Sequence, residues 1–365
     1  MMKTLAMALG AMVVTAAGSA SRAADPTPSF DHTARILAGL DKDGVANEKG
    51  EQKLVDGFAK VAVKKWAEYM KRIGTPMMAW GKTELTQVQG ETIFYPFAGP
   101  DFPTVAQLYP DAGRYVLVAL QTGGRVPKLE SLELKALTEF IAVFKRGWTD
   151  FANRGFFRTD DLKADTGKER TLEGITPVLM AFASASGFKV TNVEPIRIKA
   201  GGGDVEIHPG SRDAVATWDS VRLSLERPDG RKVTLDYLWL DLSDGYLKAH
   251  ADAKAWIAVM SKERVFTKAA SHLMQKSFFS IVRDTILASA PSVVQDETGL
   301  DYGDLQKGFN VTLYGKFSAA HHLFQAGVQR ALVAAYKKKD DVKPVKFRFG
   351  YDKDAGSCIQ VAVRK

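Results

Sequence analysis

The sequence predicts an α+β fold, with mixed or antiparallel sheets against packed helices. Three observations carry that expectation. A long hairpin pattern occupies residues 219–241, a strongly amphipathic helix pattern occupies 51–72, and strands and helices alternate without a strict βαβ order. In the hairpin, Val221, Leu223 and Leu225 alternate with Arg222, Ser224 and Glu226. Pro228-Asp-Gly230 makes the turn, and Val233, Leu235, Tyr237 and Trp239 alternate on the return.

The remaining elements follow in chain order. Leu54, Phe58, Val61, Ala62, Trp66 and Met70 recur at three- and four-residue steps, so one helix face is apolar. Residues 91–98 and 114–120 read as strands, the second nearly continuous in apolar side chains and so central in a sheet. Gly123-Gly124 breaks the chain after it. Residues 130–146 read as a helix with Leu134, Leu137, Phe140, Ile141 and Phe144 inward. An aromatic stretch runs from Trp148 to Phe157, and Gly174-Ile-Thr-Pro opens a short helix closed by Gly187. A strand through 188–199 leads to the triple glycine at 201–203. Beyond the hairpin, 265–275 and 277–289 read as helices, 309–315, 344–351 and 357–363 as strands, and 322–338 as a helix.

Residues 1–24 read as a secretory signal peptide. Lys3 precedes an apolar run from Leu5 to Ala17 that is too short to span a bilayer, and small residues follow, with cleavage between Ala20 and Ala24. The rest divides into an N-terminal α/β subdomain at 25–200 and a C-terminal α+β subdomain at 201–365, or forms one continuous domain. The expected location is periplasmic or extracellular.

The composition, 45% hydrophobic and 25% charged, suits a globular chain with a real core. Past the leader no apolar stretch is long enough for a membrane span. The formal charge of +8 is spread along the chain, and its densest run, Lys337-Lys-Lys339, is diluted by Asp340 and Asp341. Nucleic-acid binding would need a basic face with stacking aromatics, so it is not expected. A polar or anionic cell-envelope component is the partner the charge allows. The single cysteine, Cys358, cannot form an internal disulfide and reads as a packed strand residue.

Familiar catalytic and cofactor patterns are missing from the sequence. No strand leads into Gly-x-Gly-x-x-Gly, no Gly-x-Ser-x-Gly occurs, and the glycines at 201–203 lack a following Gly-Lys-Ser/Thr. A calcium loop starting at Asp41 would have Ala46 where glycine is needed and Gln52 in place of the glutamate. The histidines at 32, 208, 250, 272, 321 and 322 show no zinc-helix spacing. Neither a metal nor an organic cofactor is expected, and whether the protein is an enzyme is left open.

The most distinctive run is Phe94-Tyr-Pro-Phe-Ala-Gly-Pro-Asp-Phe102. Pro96 and Pro100 fix backbone angles and Gly99 allows a positive φ, so the turn holds Asp101 at little entropic cost. Tyr95, Phe97 and Phe102 would form an aromatic wall beside that carboxylate, suited to a polyol or sugar. In the competing reading the turn is simply packed and Asp101 caps backbone N–H groups. Asp241, Asp244 and Tyr246 follow a strand end, where sites often lie but where turn residues are also common. Asp101 with Asp241 or Asp244 would give a two-carboxylate glycosidase if folding brought them together. Lys268 and His272 complete the ligand-binding candidates, His272 as an anion or polar-core contact.

The Tyr-Pro-Phe-x-Gly-Pro-Asp-Phe run resembles the signature of a family of uncharacterised exported bacterial proteins. Tyr115-Val-Leu-Val-Ala-Leu120, Trp239-Leu-Asp-Leu-Ser-Asp-Gly245 and Lys268-Ala-Ala-Ser-His-Leu-Met274 are similar to further segments of that family. The resemblance implies an exported globular protein and supplies no activity or catalytic residue. The expected function is binding of a polar small molecule, glycan or envelope partner; the alternative is a carbohydrate or envelope-polymer hydrolase using paired carboxylates.

Overall fold

The computed structural model describes residues 29–45, 49–155, 173–209, 218–319, 329–338, 342–351 and 357–365. The expected leader at 1–24 and the histidines at 321 and 322 lie outside them.

The chain forms a mixed α+β fold, in which the described residues build an eleven-stranded sheet with helices on both faces. The first half contributes α1 (Phe30–Leu37), α2 (Lys49–Tyr69), α3 (Thr75–Glu84), β1 (Thr92–Tyr95), α4 (Phe102–Leu108), β2 (Arg114–Ala119), α5 (Leu134–Arg154), α6 (Thr176–Ala185) and β3 (Lys189–Ile198). The second half adds β4 (Val205–Ile207), β5 (Ser220–Glu226), β6 (Lys232–Trp239), α7 (Asp244–Ala249), α8 (Ala251–Met260), β7 (Arg264–Thr267), α9 (Ser280–Ser289) and β8 (Ser292–Gln295). α10 (Tyr302–Gly308), β9 (Phe309–Tyr314), α11 (Arg330–Lys337), β10 (Val342–Lys343) and β11 (Ile359–Arg364) finish it.

The strand order is β10-β9-β11-β8-β7-β1-β2-β6-β5-β3-β4. Its five central strands, from β8 to β6, are mutually parallel. The predicted hairpin is β5–β6, paired antiparallel from Val221↔Tyr237 to Glu226↔Lys232. β3 and β4 extend that antiparallel edge, so the 200/201 boundary falls in the β3–β4 connection and both halves share the sheet.

Side-chain alternation assigns the two faces. Ile93, Tyr95, Tyr115 and Leu117 join the larger core beneath α1, α2, α4, α5 and α6. Phe94, Val116 and Val118 point the other way, into a core with α7 to α10. α2 and α5 present apolar faces to the larger core, though Leu134, expected inward, is exposed at the start of α5; Trp148 stacks on Phe182 (4.9 Å) and its Nε1 donates to the Ala62 carbonyl (2.8 Å). Cys358 is fully buried beside Tyr336 and Leu332, as a packed residue. No helix among the described residues is long and apolar enough to cross a membrane.

Two expectations are corrected. Residues 265–275 do not form one α-helix: β7 occupies their start, turns follow, and only a single 3₁₀ turn, Leu273–Gln275, is helical. Lys268-Ala-Ala-Ser-His-Leu-Met has good helix formers, but tertiary hydrogen bonds hold it in another conformation. Residues 344–351 are not a strand either; the neighbouring β-segment, β10, ends at Lys343.

These corrections uncover two strand–helix–strand crossovers, β1–α4–β2 and β7–α9–β8. β1 and β7 are neighbours at the centre, and the crossovers run outward from them in opposite directions along the sheet. α4 packs in the larger core and α9 in the other, on opposite faces. The carboxyl ends of β1 and β7 therefore diverge at a topological switch point, where parallel sheets open a crevice.

Candidate functional site

The crevice at the switch point has a volume of about 90 Å³. One wall is the turn after β1. Pro96 ends the strand, Phe97 takes φ 59° and Gly99 φ 57°, and the Ala98 N–H donates to the Val118 carbonyl (2.9 Å). Positive φ is unusual for phenylalanine, and here it follows from reversing the chain tightly over β2.

Asp101 stands just before α4, in whose first turn Pro103 sits. Asp101 is 3% exposed and lines the crevice. Thr104 Oγ1 donates to Oδ1 (2.7 Å), while Tyr95 Oη (3.0 Å) and Lys268 Nζ (2.7 Å) reach Oδ2. Asp101 thus binds neighbouring side chains; it neither projects into solvent nor caps the helix amides. Phe102 is fully buried against Tyr115 and Phe188 rather than lining the crevice.

Lys268 follows β7, its ammonium fully engaged by Asp101, Thr104 Oγ1 (2.7 Å) and the Gly155 carbonyl (2.7 Å). It pins the turn after β1 to the end of α5. Tyr95 lies on the same network: burial and the nearby Asp101 carboxylate push its phenol well above its ordinary value, so it stays a neutral donor.

The second wall is the segment after β7. Ala269, Ser271 and His272 have φ of 54°, 55° and 57°. Left-handed backbone costs each such residue about 1 kcal/mol or more and persists only when surrounding contacts over-determine it. The segment after β8 supplies those contacts. Asp296 Oδ2 accepts from the Ala269 N–H (2.8 Å), Thr298 Oγ1 from the Ala270 N–H (2.7 Å), and the Thr298 carbonyl from the His272 N–H (3.1 Å). Burial raises the Asp296 carboxyl above its ordinary value despite these bonds.

Tyr351 closes the rim. Its hydroxyl donates to the Ala269 carbonyl (2.8 Å) and lies 2.9 Å from Ser271 Oγ; burial pushes its pKa up to about 12. Gln121, two residues past the end of β2, completes the lining. Its backbone carbonyl accepts from Tyr237 Oη (2.9 Å), but its carboxamide, in a residue only 7% exposed, has no hydrogen-bond partner among the described residues. An amide that lines a crevice without an internal partner offers one donor group and one acceptor to a polar guest.

The fold gathers some sequence candidates and scatters others. Tyr95, Asp101 and Lys268 meet at the switch point. His272 lies behind it, 1% exposed, its Nδ1 3.1 Å from Gln275 Oε1, and burial lowers its pKa. Asp244 is elsewhere, accepting from Ser280 Oγ (2.6 Å) and the Ile281 N–H (2.8 Å) at the start of α9. Asp241 accepts from the Ser243 N–H (2.8 Å) in a local turn. Neither aspartate lines the crevice with Asp101. Tyr246 borders a second, wider crevice.

Sequence reasoning missed Gln121, Ser271, Asp296 and Tyr351. Gln121 carried a usable signal, since it follows a recognised central strand. Asp296 carried none, because β8 itself was not recognised. Among the described residues no cluster of three or more His, Cys, Asp or Glu side chains is placed to hold a metal ion. The pairing of Asp101 with Lys268 leaves the crevice electrically balanced, which suits a neutral polar group. In comparisons with known proteins, no family model, no curated protein and no solved structure matches the chain.

Proposed function

We propose that the protein binds a small, neutral, polar ligand, or the polar end of a larger one, at the switch point between β1 and β7. The observation that carries this reading is the Gln121 carboxamide, which lines a crevice walled by left-handed turns and makes no hydrogen bond to the described residues. A donor–acceptor amide beside the Ser271–Tyr351 hydroxyl pair matches a hydroxyl- or amide-bearing guest of a few heavy atoms. The leader-like residues 1–24 support a periplasmic or extracellular setting, so an envelope-derived molecule or polar envelope component is the ligand class to test first. The paired-carboxylate hydrolase is not favoured, because Asp241 and Asp244 are committed to other contacts away from Asp101.

The test is a thermal-shift screen with polyols, amino sugars and small amides. One class raises Tm, and Gln121→Ala abolishes the rise while leaving the ligand-free Tm nearly unchanged, because the carboxamide makes no internal bond. A rise that survives in Gln121→Ala, or the absence of any rise across the screen, overturns the reading.

A further inference from the structure

The second crevice is the larger, with a volume of about 540 Å³ between the ends of β3 and β6 and the α7–α8 junction. Two tryptophans, a tyrosine and two histidines are among its lining residues, and several of these rings are held rather than loose. Trp239 is 40% exposed, yet its indole Nε1 is anchored to the Leu120 carbonyl (3.0 Å). Tyr246 stacks on His250 with ring centroids 3.8 Å apart, and His250 Nδ1 lies 2.9 Å from the Tyr246 carbonyl. Trp218 is 5% exposed, and its Nε1 and the His208 Nδ1 are buried, with no hydrogen-bond partner among the described residues.

The rim adds the exposed carboxylates of Asp219 and Asp252. Arg197 on the same rim is already bound to Glu206 (2.8 Å). Two carboxylates and a neutralised arginine disfavour an anionic ligand. Anchored rings beside exposed carboxylates suit a guest that is apolar on its faces and hydroxylated at its edges. The volume lies in the range of small-molecule sites and exceeds what one sugar ring fills.

We infer that this crevice binds a short stretch of neutral oligosaccharide, with pyranose faces on Trp239 and Tyr246 and hydroxyls bonded at the Asp219 side. The site is separate from the switch-point crevice and stands whether or not that one binds a ligand.

Cellotriose, maltotriose and chitotriose serve as probes, followed by intrinsic tryptophan fluorescence and titration calorimetry, with a galacturonate trimer as the anionic comparison. At least one neutral trisaccharide binds. Trp239→Ala weakens it at least tenfold and Asp219→Asn several-fold, with far-ultraviolet circular dichroism unchanged. Gln121→Ala leaves this affinity intact, which separates the two crevices. The inference is overturned if no neutral probe binds at millimolar concentration, if the galacturonate trimer binds more tightly, or if Trp239→Ala and Tyr246→Ala both bind like the parent protein. Should Trp239→Ala fail to fold, Tyr246→Ala alone decides.

Discussion

Lys268 and Asp101 form a 2.7 Å ion pair whose side chains are each 4% exposed, joining the segment after β7 to the turn after β1. A buried pair adds little net stability against apolar replacements, but losing one partner strands the other charge. Lys268→Met therefore costs about 3–5 kcal/mol, and adding Asp101→Asn recovers part of that loss. Urea denaturation of the single and double variants checks it. A double variant as unstable as the sum of the two single losses would show that the charges are not coupled.

The left-handed backbone at Ala269 makes an unusual forecast for glycine. Ala→Gly ordinarily destabilises by about 0.5–1 kcal/mol through chain entropy. At Ala269, φ 54°, relief of about 1 kcal/mol of strain offsets that loss, so Ala269→Gly is close to neutral. Ala270→Gly, at a neighbour without positive φ, shows the ordinary loss. Equal losses at both positions would contradict the strain argument.

Asp244 governs part of the acid sensitivity. Burial raises its pKa, but hydrogen bonds from Ser280 and the Ile281 amide outweigh burial and hold the carboxyl below its ordinary value of 3.8. The unfolded chain then takes up this proton first as pH falls. The stabilisation is complete above the unfolded pKa and disappears as pH drops through the folded one. Asp244→Asn costs about 1 kcal/mol at neutral pH, as for a lost helix cap, and flattens the stability profile between about pH 5 and pH 2. Parallel profiles for variant and parent would exclude this role.

Two glycines with similar φ differ in what surrounds them. At Gly124, φ +74°, an added Cβ would lie 1.5 Å from the Glu173 carbonyl oxygen. Gly124→Ala forces the Gly123–Gly124 and Glu173–Gly174 backbones apart and costs about 3 kcal/mol or more. At Gly99, φ +57°, nothing lies within 4 Å, so Gly99→Ala costs about 1 kcal/mol of backbone strain alone. Comparing the two Tm values tests whether the close approach, rather than φ, dominates.

Much of the architecture is legible in the residues. The β5–β6 hairpin, the apolar faces of α2 and α5 and the tight turn around Gly99 each follow from alternation, helical spacing or turn chemistry. β7 and β8 are not legible. Each is four residues long and covered on both faces, so neither shows alternation, and the segment after β7 has the composition of a helix. With those strands unread, the parallel centre of the sheet and its switch point stay hidden.

The site divides along the same line. The amino-acid order alone determines that Asp101 follows a stiff aromatic turn, because prolines and a glycine act on their immediate neighbours. That its carboxylate faces inward to Lys268 instead of outward to a guest is decided by the docking of distant loops. So is the placing of Gln121, Ser271 and Tyr351 around one opening. Local torsional preferences are written residue by residue, whereas the partner of a buried charge is chosen only when strands far apart in the chain become neighbours.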